Sequence, residues 1–286
     1  QHIGIHMPSP SCEWCGLPLA PPKPMRCGVI VYLHVPKTGG STVTEFLRRH
    51  ASGGDRGGWW HASISSPNTT WSAIASRLRQ RGPRPKQFII HHVESPTSLL
   101  NAAHEIQSLD CWLRSHGCRL VLTTTLREAA SRAASAAYYN RVPHWHYMDW
   151  VAEHASNGAV SFLLHNRVRR FQPARNRTLP SEPSDLRRAQ SMLAQFTAVG
   201  RTEQLGAFLE YLRSLIGPAG DEGGAVIERA NDTPQSVKYE LTAGEREWTR
   251  SHNHLDEELY ASLCKSHSGG GACAWRAVRS SEVALR

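Results

Sequence analysis

Apolar residues fall along this chain in two rhythms. Val29-Ile30-Val31-Tyr32-Leu33 is the longest unbroken apolar run, and with Val35 it predicts a buried strand over 29–35 that Pro36 ends. A helical pattern starts at Ser41. The stretch 51–70 is rich in Gly, Ser and Trp with no period, and reads as loop. The spacing then predicts a helix over 71–81, a second buried strand over 87–91, a helix around 109–116, a strand over 119–125 and an Ala-rich helix over 128–139. Strands and helices alternating at this spacing predict a parallel sheet of crossover units.

The second half reads as helical with interruptions. A helix is expected over 184–195 and a short strand over 196–200. Thr202 is expected to cap a helix whose Leu205, Phe208, Leu209, Leu212 and Leu215 keep the 3.6 period. Residues 217–236 read as loop. Thr242 and Glu245 have the spacing of a capping box, opening a last helix with Trp248, Leu255, Leu259 and Leu263 on one face. No internal repeat is visible. The expected organisation is one α/β domain over 29–263, with a flexible tail over 1–28 and an extension over 264–286.

Charge narrows the partners. Thirty-three Lys and Arg stand against 24 Asp and Glu, a formal +9, with 16 histidines besides. A basic surface attracts polyanions or an acidic substrate. The cations are scattered, with small clusters at Arg167-Arg169-Arg170 and Arg187-Arg188, and no nucleic-acid motif appears, so nucleic acid is not the expected partner. No apolar run approaches the roughly 18 residues of a membrane span.

Seven cysteines leave an odd count. Cys12 and Cys15 have half the spacing of a zinc knuckle without a second pair, so no metal site is expected. The pairs Cys111/Cys118 and Cys264/Cys273 are spaced to close short loops, as in an oxidising compartment. Asn68, Asn176 and Asn231 open glycosylation acceptor patterns, the last weakened by Pro234.

The chemistry concentrates at Pro36-Lys37-Thr38-Gly39-Gly40-Ser41-Thr42. A buried strand ending in Pro, two glycines and a helix start aim backbone N–H groups and the positive helix end at one point, an anion site. Lys37 adds a point charge, and the hydroxyls of Thr38, Ser41 and Thr42 add donors. The Walker spacing is missing, and the strand at 119–125 runs into Leu126-Arg127 rather than an acidic residue that would hold magnesium. Arg127, with Ser131 and Ser135 a helical turn apart, offers a second anion site.

The segment Leu33 to Thr42 resembles the 5′-phosphosulfate loop of sulfotransferases, closest to the Golgi carbohydrate branch of the heparan sulfate 2-O-sulfotransferase type. Thr124-Thr125-Leu126-Arg127-Glu128, followed by Ser131-Arg132 and Ser135-Ala136-Ala137-Tyr138-Tyr139-Asn140, is similar to the segment that holds the 3′-phosphate in that family. Weaker likenesses lie in Asn166-Arg167 with Phe171, in residues 199–203, and in residues 255–260. Glu128-Ala129 stands where the family usually has Asp-Pro.

The resemblance implies a P-loop-like central parallel sheet flanked by helices, and the cofactor 3′-phosphoadenosine 5′-phosphosulfate (PAPS, leaving PAP). Pro36 to Thr42 would hold its 5′ end, and Arg127 with Ser135 its 3′-phosphate. It further implies Lys37 at the bridging oxygen and a His after the strand at 87–91 as general base. His92, within His92-Val93-Glu94, fits that place; His91 would alternate to the other side, and Glu94 is a fallback base or an orienter of His92. The implied location is the Golgi lumen, on a single-pass protein anchored through a segment ahead of this one.

The expected acceptor is a glycan hydroxyl, anionic in view of the charge and of Arg141, Arg167, Arg169 and Arg170. Trp59, Trp60, Trp145, Tyr147 and Trp150 could stack on sugar rings or anchor the core. A small alcohol, a phenol or a protein tyrosine remains open as acceptor. So do two other functions, a P-loop kinase and a catalytically silent polyanion- or sugar-binding module.

Overall fold

The computed structural model describes residues 24–51, 60–64, 70–83, 85–91, 99, 102–165, 182–217, 239–265 and 275–277. Its first half runs β1 (Gly28–Leu33), α1 (Gly40–Ala51), β2 (Trp60–Ile64), α2 (Trp71–Arg81), β3 (Lys86–His91), α3 (Ala103–Ser115), β4 (Arg119–Leu126) and α4 (Ala129–Tyr139). The second half continues with α5 (Tyr147–His154), α6 (Gly158–His165), α7 (Pro183–Leu193), β5 (Ala198–Arg201), α8 (Leu205–Ile216), α9 (Ala243–His252), α10 (His254–Lys265) and β6 (Trp275–Ala277).

The sheet order is β2-β3-β1-β4-β5-β6, parallel through the first five strands, with β6 antiparallel on β5. Helices cover both faces, giving one α/β domain with a P-loop-like central parallel sheet. The alternation of the strand backbone explains why β1 reads as unbroken apolar sequence. Val29, Val31 and Leu33 enter a core shared with α2, α3, α6, α7 and α10, while Ile30 and Tyr32 enter another with α1 and α8.

Several local expectations change. Trp60–Ile64 is an edge strand inside the stretch expected to be loop. Trp60-His61-Ala62-Ser63-Ile64 alternates apolar and polar residues, a short period-two signal set among Gly- and Ser-rich sequence, and β3 alone supplies its parallel partner in the sheet order. Residues 144–154, where the apolar pattern predicts no element, form a 3-10 turn and then α5. Tyr147 pins them: its side chain is fully buried and its hydroxyl meets Thr249 Oγ1 at 3.0 Å. The last helix is two, α9 and α10, broken at Asn253. The side chain of Asn253 accepts from Asn157 N (2.9 Å) and Arg132 (3.3 Å), so a tertiary contact sets the break. The capping box at Thr242 and Glu245 forms.

The cysteine pairing is also corrected. Cys118 bonds to Cys27, not Cys111, and Cys111 is an exposed free thiol on α3. The reason is the sheet: β1 and β4 are neighbours with Gly28 opposite Arg119, so the residues just ahead of each lie side by side. The pairing expected of Cys264 with Cys273 falls outside the described residues, as do the three glycosylation patterns. Met25 and Cys27 are buried, and Met25 N donates to Leu215 O at 2.7 Å, so the packed domain reaches past the expected boundary at 29. Among the described residues no helix is long and apolar enough to cross a membrane.

Candidate functional site

Register carries the ends of the central strands to one edge. Leu33 of β1 pairs with His91 of β3 and with Thr124 of β4, and Leu126 of β4 pairs with Arg201 of β5. From β1 the chain leaves toward β2; from the adjacent β4 it leaves toward β5, on the opposite side. Neighbouring strands that depart in opposite directions open a crevice at their carboxyl ends, the place where such sheets take ligands. The loop over 34–39 and Arg127 flank that crevice.

The loop is built tightly. Lys37 adopts a left-handed backbone at φ 67°, and Gly39 another at φ 84°. A Cβ on Gly40 would meet the His34 ring at 1.9 Å, and one on Gly39 would come within 3.1 Å of Leu205. Both glycines are therefore needed where they stand. Thr42 N and Val43 N both reach back to Gly39 O, at 3.1 and 3.3 Å, to close the first turn of α1. Helix starts leave N–H groups without intrahelical partners, which is what an anion uses.

Thr38 departs from its expected role as a hydroxyl donor to the ligand. It is fully buried, its Oγ1 donates to Val35 O (2.7 Å), and it meets Thr125 Oγ1 (3.1 Å), which also meets the Tyr32 hydroxyl (2.6 Å). Burial pushes the Tyr32 phenol well above its usual range, against the lowering effect of Thr125 and Thr38. The side chain of Thr38 bolts the loop to β4. Ser41 is exposed at the helix start, and Thr42 is buried.

Across the crevice, Arg127 donates from Nη1 to Lys37 O at 3.4 Å. The Glu128 carboxylate caps α4, accepting from Ser131 N (2.8 Å) and Ser131 Oγ (2.5 Å). Ser131 is thus engaged by Glu128, and of the two serines proposed for the second anion site Ser135 is the one outside that cap. Arg250 at 3.1 Å and Arg246 at 3.5 Å flank Glu128. Burial works to raise the Glu128 carboxyl, but Ser131 and Arg250 outweigh it and hold it below the usual range. Glu257 accepts from Ala129 N at 3.0 Å, and burial together with Glu128 pushes its carboxyl up. Ser135 is half-buried one turn further along α4.

Thr202 does not cap α8. It sits in a 3-10 turn and donates to Leu126 O at 3.1 Å, joining the ends of β5 and β4. The weaker likenesses at 199–203 and 255–260 meet in space. Arg201 Nε donates to the Tyr260 hydroxyl (2.7 Å), which donates to Glu203 (2.5 Å).

His92, Glu94, Trp59, Arg167, Arg169, Arg170, Asn166 and Phe171 lie outside the described residues. His91 ends β3 opposite Leu33, so the chain passes into 92–94 from the same sheet edge as the loop. Of the aromatics with two possible roles, Tyr147 is core, Trp150 packs partly against the α4–α5 core, and Trp145 is 84% exposed. Sequence reasoning gave no role to Tyr139, whose ring lies under Lys37 Nζ at 4.1 Å. Its place four residues after Ser135, on the same helical face, was the available signal. Arg246 and Arg250 had no such signal, being over a hundred residues from Glu128.

No protein-family model and no curated protein matches the chain. Among solved structures it is similar to a chain from the PezAT chromosomal toxin-antitoxin system of the human pathogen Streptococcus pneumoniae. That likeness has 12% identity, covers 84% of this chain and 89% of that one, and has a TM-score of 0.29, too low to carry an argument.

Proposed function

We propose that this chain is a sulfotransferase, moving a sulfuryl group from PAPS to a hydroxyl of an anionic glycan. The observation that supports it most is the pairing of two anion-binding elements across one crevice. The loop at 36–42 follows β1, Arg127 follows the adjacent β4, and a hydrogen bond from Arg127 to Lys37 O joins them. PAPS has anionic groups at both ends, so it requires two such elements. The chemistry of the donor set fits the cofactor: a glycine turn held tightly against His34 and Leu205 opens a helix start whose N–H groups suit a phosphate, with the Lys37 ammonium and the Arg127 guanidinium to meet its negative charge.

When bound, PAPS supplies the sulfuryl group. The loop amides with Ser41 and Thr42 hold its 5′ end, and Arg127 with Ser135 its 3′-phosphate. Lys37 stabilises charge developing on the bridging oxygen. His92 would take the proton from the acceptor hydroxyl, with Glu94 as its orienter or as the fallback base. No metal is assigned a role.

The acceptor side of the proposal draws on surface character. Of the exposed large hydrophobics among the described residues, Tyr138, Trp145 and Met148 lie in one short segment with the exposed Arg141. Aromatic faces with a cation beside them suit an anionic sugar. The Cys27–Cys118 bond supports folding in an oxidising lumen, which the Golgi proposal requires.

Thermal unfolding tests the cofactor. PAP should raise Tm through linkage, by an amount that grows with its concentration, while ATP with magnesium should do much less. Equal stabilisation by both ligands, or by neither, overturns the proposal; a preference for ATP with magnesium favours a kinase.

A further inference from the structure

We infer that Tyr139 is a positioning residue for Lys37, and that Lys37 is gripped at both ends by the strand–helix unit carrying the second anion site. The inference rests on the sulfotransferase reading and extends it to a residue which that reading leaves without a role.

The Lys37 ammonium lies 4.1 Å from the centroid of the Tyr139 ring, well inside the range in which a ring face attracts a cation. Its carbonyl accepts from Arg127. Its backbone is left-handed at φ 67°, a conformation that a non-glycine residue keeps only where its surroundings impose it. All three restraints act on one residue, and two come from the segment β4–α4. Ser135 and Tyr139 lie four apart on α4, so the element offering a hydroxyl to the far phosphate also steers the lysine at the near one.

A lysine side chain has four flexible bonds, and fixing it at the reacting atoms costs rotamer freedom each time it is used. A ring that receives the ammonium on one side, leaving N–H groups to point elsewhere, removes part of that cost before the cofactor arrives. Tyr139 is 57% exposed, so its replacement leaves the core untouched.

Two variants separate the ring from the hydroxyl. Tyr139→Phe keeps the face, whereas Tyr139→Leu removes it. The cofactor-free protein, with lysines converted to dimethyl-lysine, is compared by NMR, and the Lys37 signal is assigned by its loss in Lys37→Arg. Ring-current displacement of that signal is expected in the wild type and in Tyr139→Phe, and its collapse in Tyr139→Leu. In sulfuryl transfer from PAPS, Tyr139→Leu should lose about two- to fivefold in kcat/KM for the cofactor, with acceptor KM unchanged and Tyr139→Phe near the wild type.

An unchanged Lys37 signal in Tyr139→Leu overturns the inference, as does wild-type turnover by that variant. A wild-type chain that fails to bind PAP sinks the sulfotransferase reading and this role with it. Binding and turnover that ignore residue 139 sink the role of Tyr139 alone.

Discussion

Thr38 and Lys37 are neighbours in the loop and do opposite work. Thr38 turns inward to Val35 O and Thr125, and Lys37 reaches across the crevice to the Tyr139 ring. That division follows from the left-handed turn at Lys37, which sends successive side chains to different sides. His92 comes next after the β3 residue paired with Leu33, and is the general base of the proposal. Its removal in His92→Ala should lower kcat by roughly 10²–10⁴-fold, the span of a positioned general base, with PAP affinity unchanged. Lys37→Ala and Arg127→Ala should weaken PAP binding instead, and chelators should leave the rate as it is. Steady-state kinetics with PAP titration checks this. If Glu94→Ala or His91→Ala abolishes turnover while His92→Ala retains it, the base is the neighbour. The backbone turn was legible in Lys-Thr-Gly-Gly, because glycine pairs have a local meaning. The fate of the Thr38 hydroxyl was not, because its partner Thr125 is 87 positions away.

Elements are joined at two ends of the sheet, and the joints differ in kind. At the carboxyl edge Thr202 links β5 to β4, and Arg127 links β4 to the loop after β1. At the opposite edge the Cys27–Cys118 bond ties the entries of β1 and β4 together, closing a segment 91 residues long. A loop of that size should make the bond worth about 2–5 kcal/mol, through restriction of the unfolded chain. Reduction, or the Cys27→Ala/Cys118→Ala pair of changes, should therefore lower Tm substantially. Peptide mapping without reduction should find 27 linked to 118 and Cys111 open to alkylation. Cys111 linked to Cys118 in that map would refute the pairing. Sequence spacing favoured Cys111 because it counts residues along the chain. A parallel sheet measures proximity across strands, and β1 and β4 are adjacent only after β2 and β3 have been routed to the other side.

For the molecule as a whole, the +9 charge is scattered in sequence, yet Arg127, Arg246 and Arg250 gather beside Glu128 at one end of α4. Arg246 and Arg250 retain exposure of 41% and 44%, so their field reaches solvent and is open to screening by salt. An anionic glycan should accordingly show kcat/KM that falls steeply between low and physiological ionic strength, while a neutral acceptor should change little. Equal salt dependence for both acceptors would remove electrostatic steering from the account. The sequence by itself determined the strands β1, β3 and β4, the helices between them, the capping box, the glycine turn and the arginine after β4. Each of these is written in residues close together, where apolar period and turn chemistry suffice. Tertiary structure alone decided the break at Asn253, the partner of Cys118, the inward turn of Thr38 and the ring beneath Lys37. Each depends on residues brought together by sheet order and helix docking, and no local pattern encodes a contact whose other half lies far along the chain.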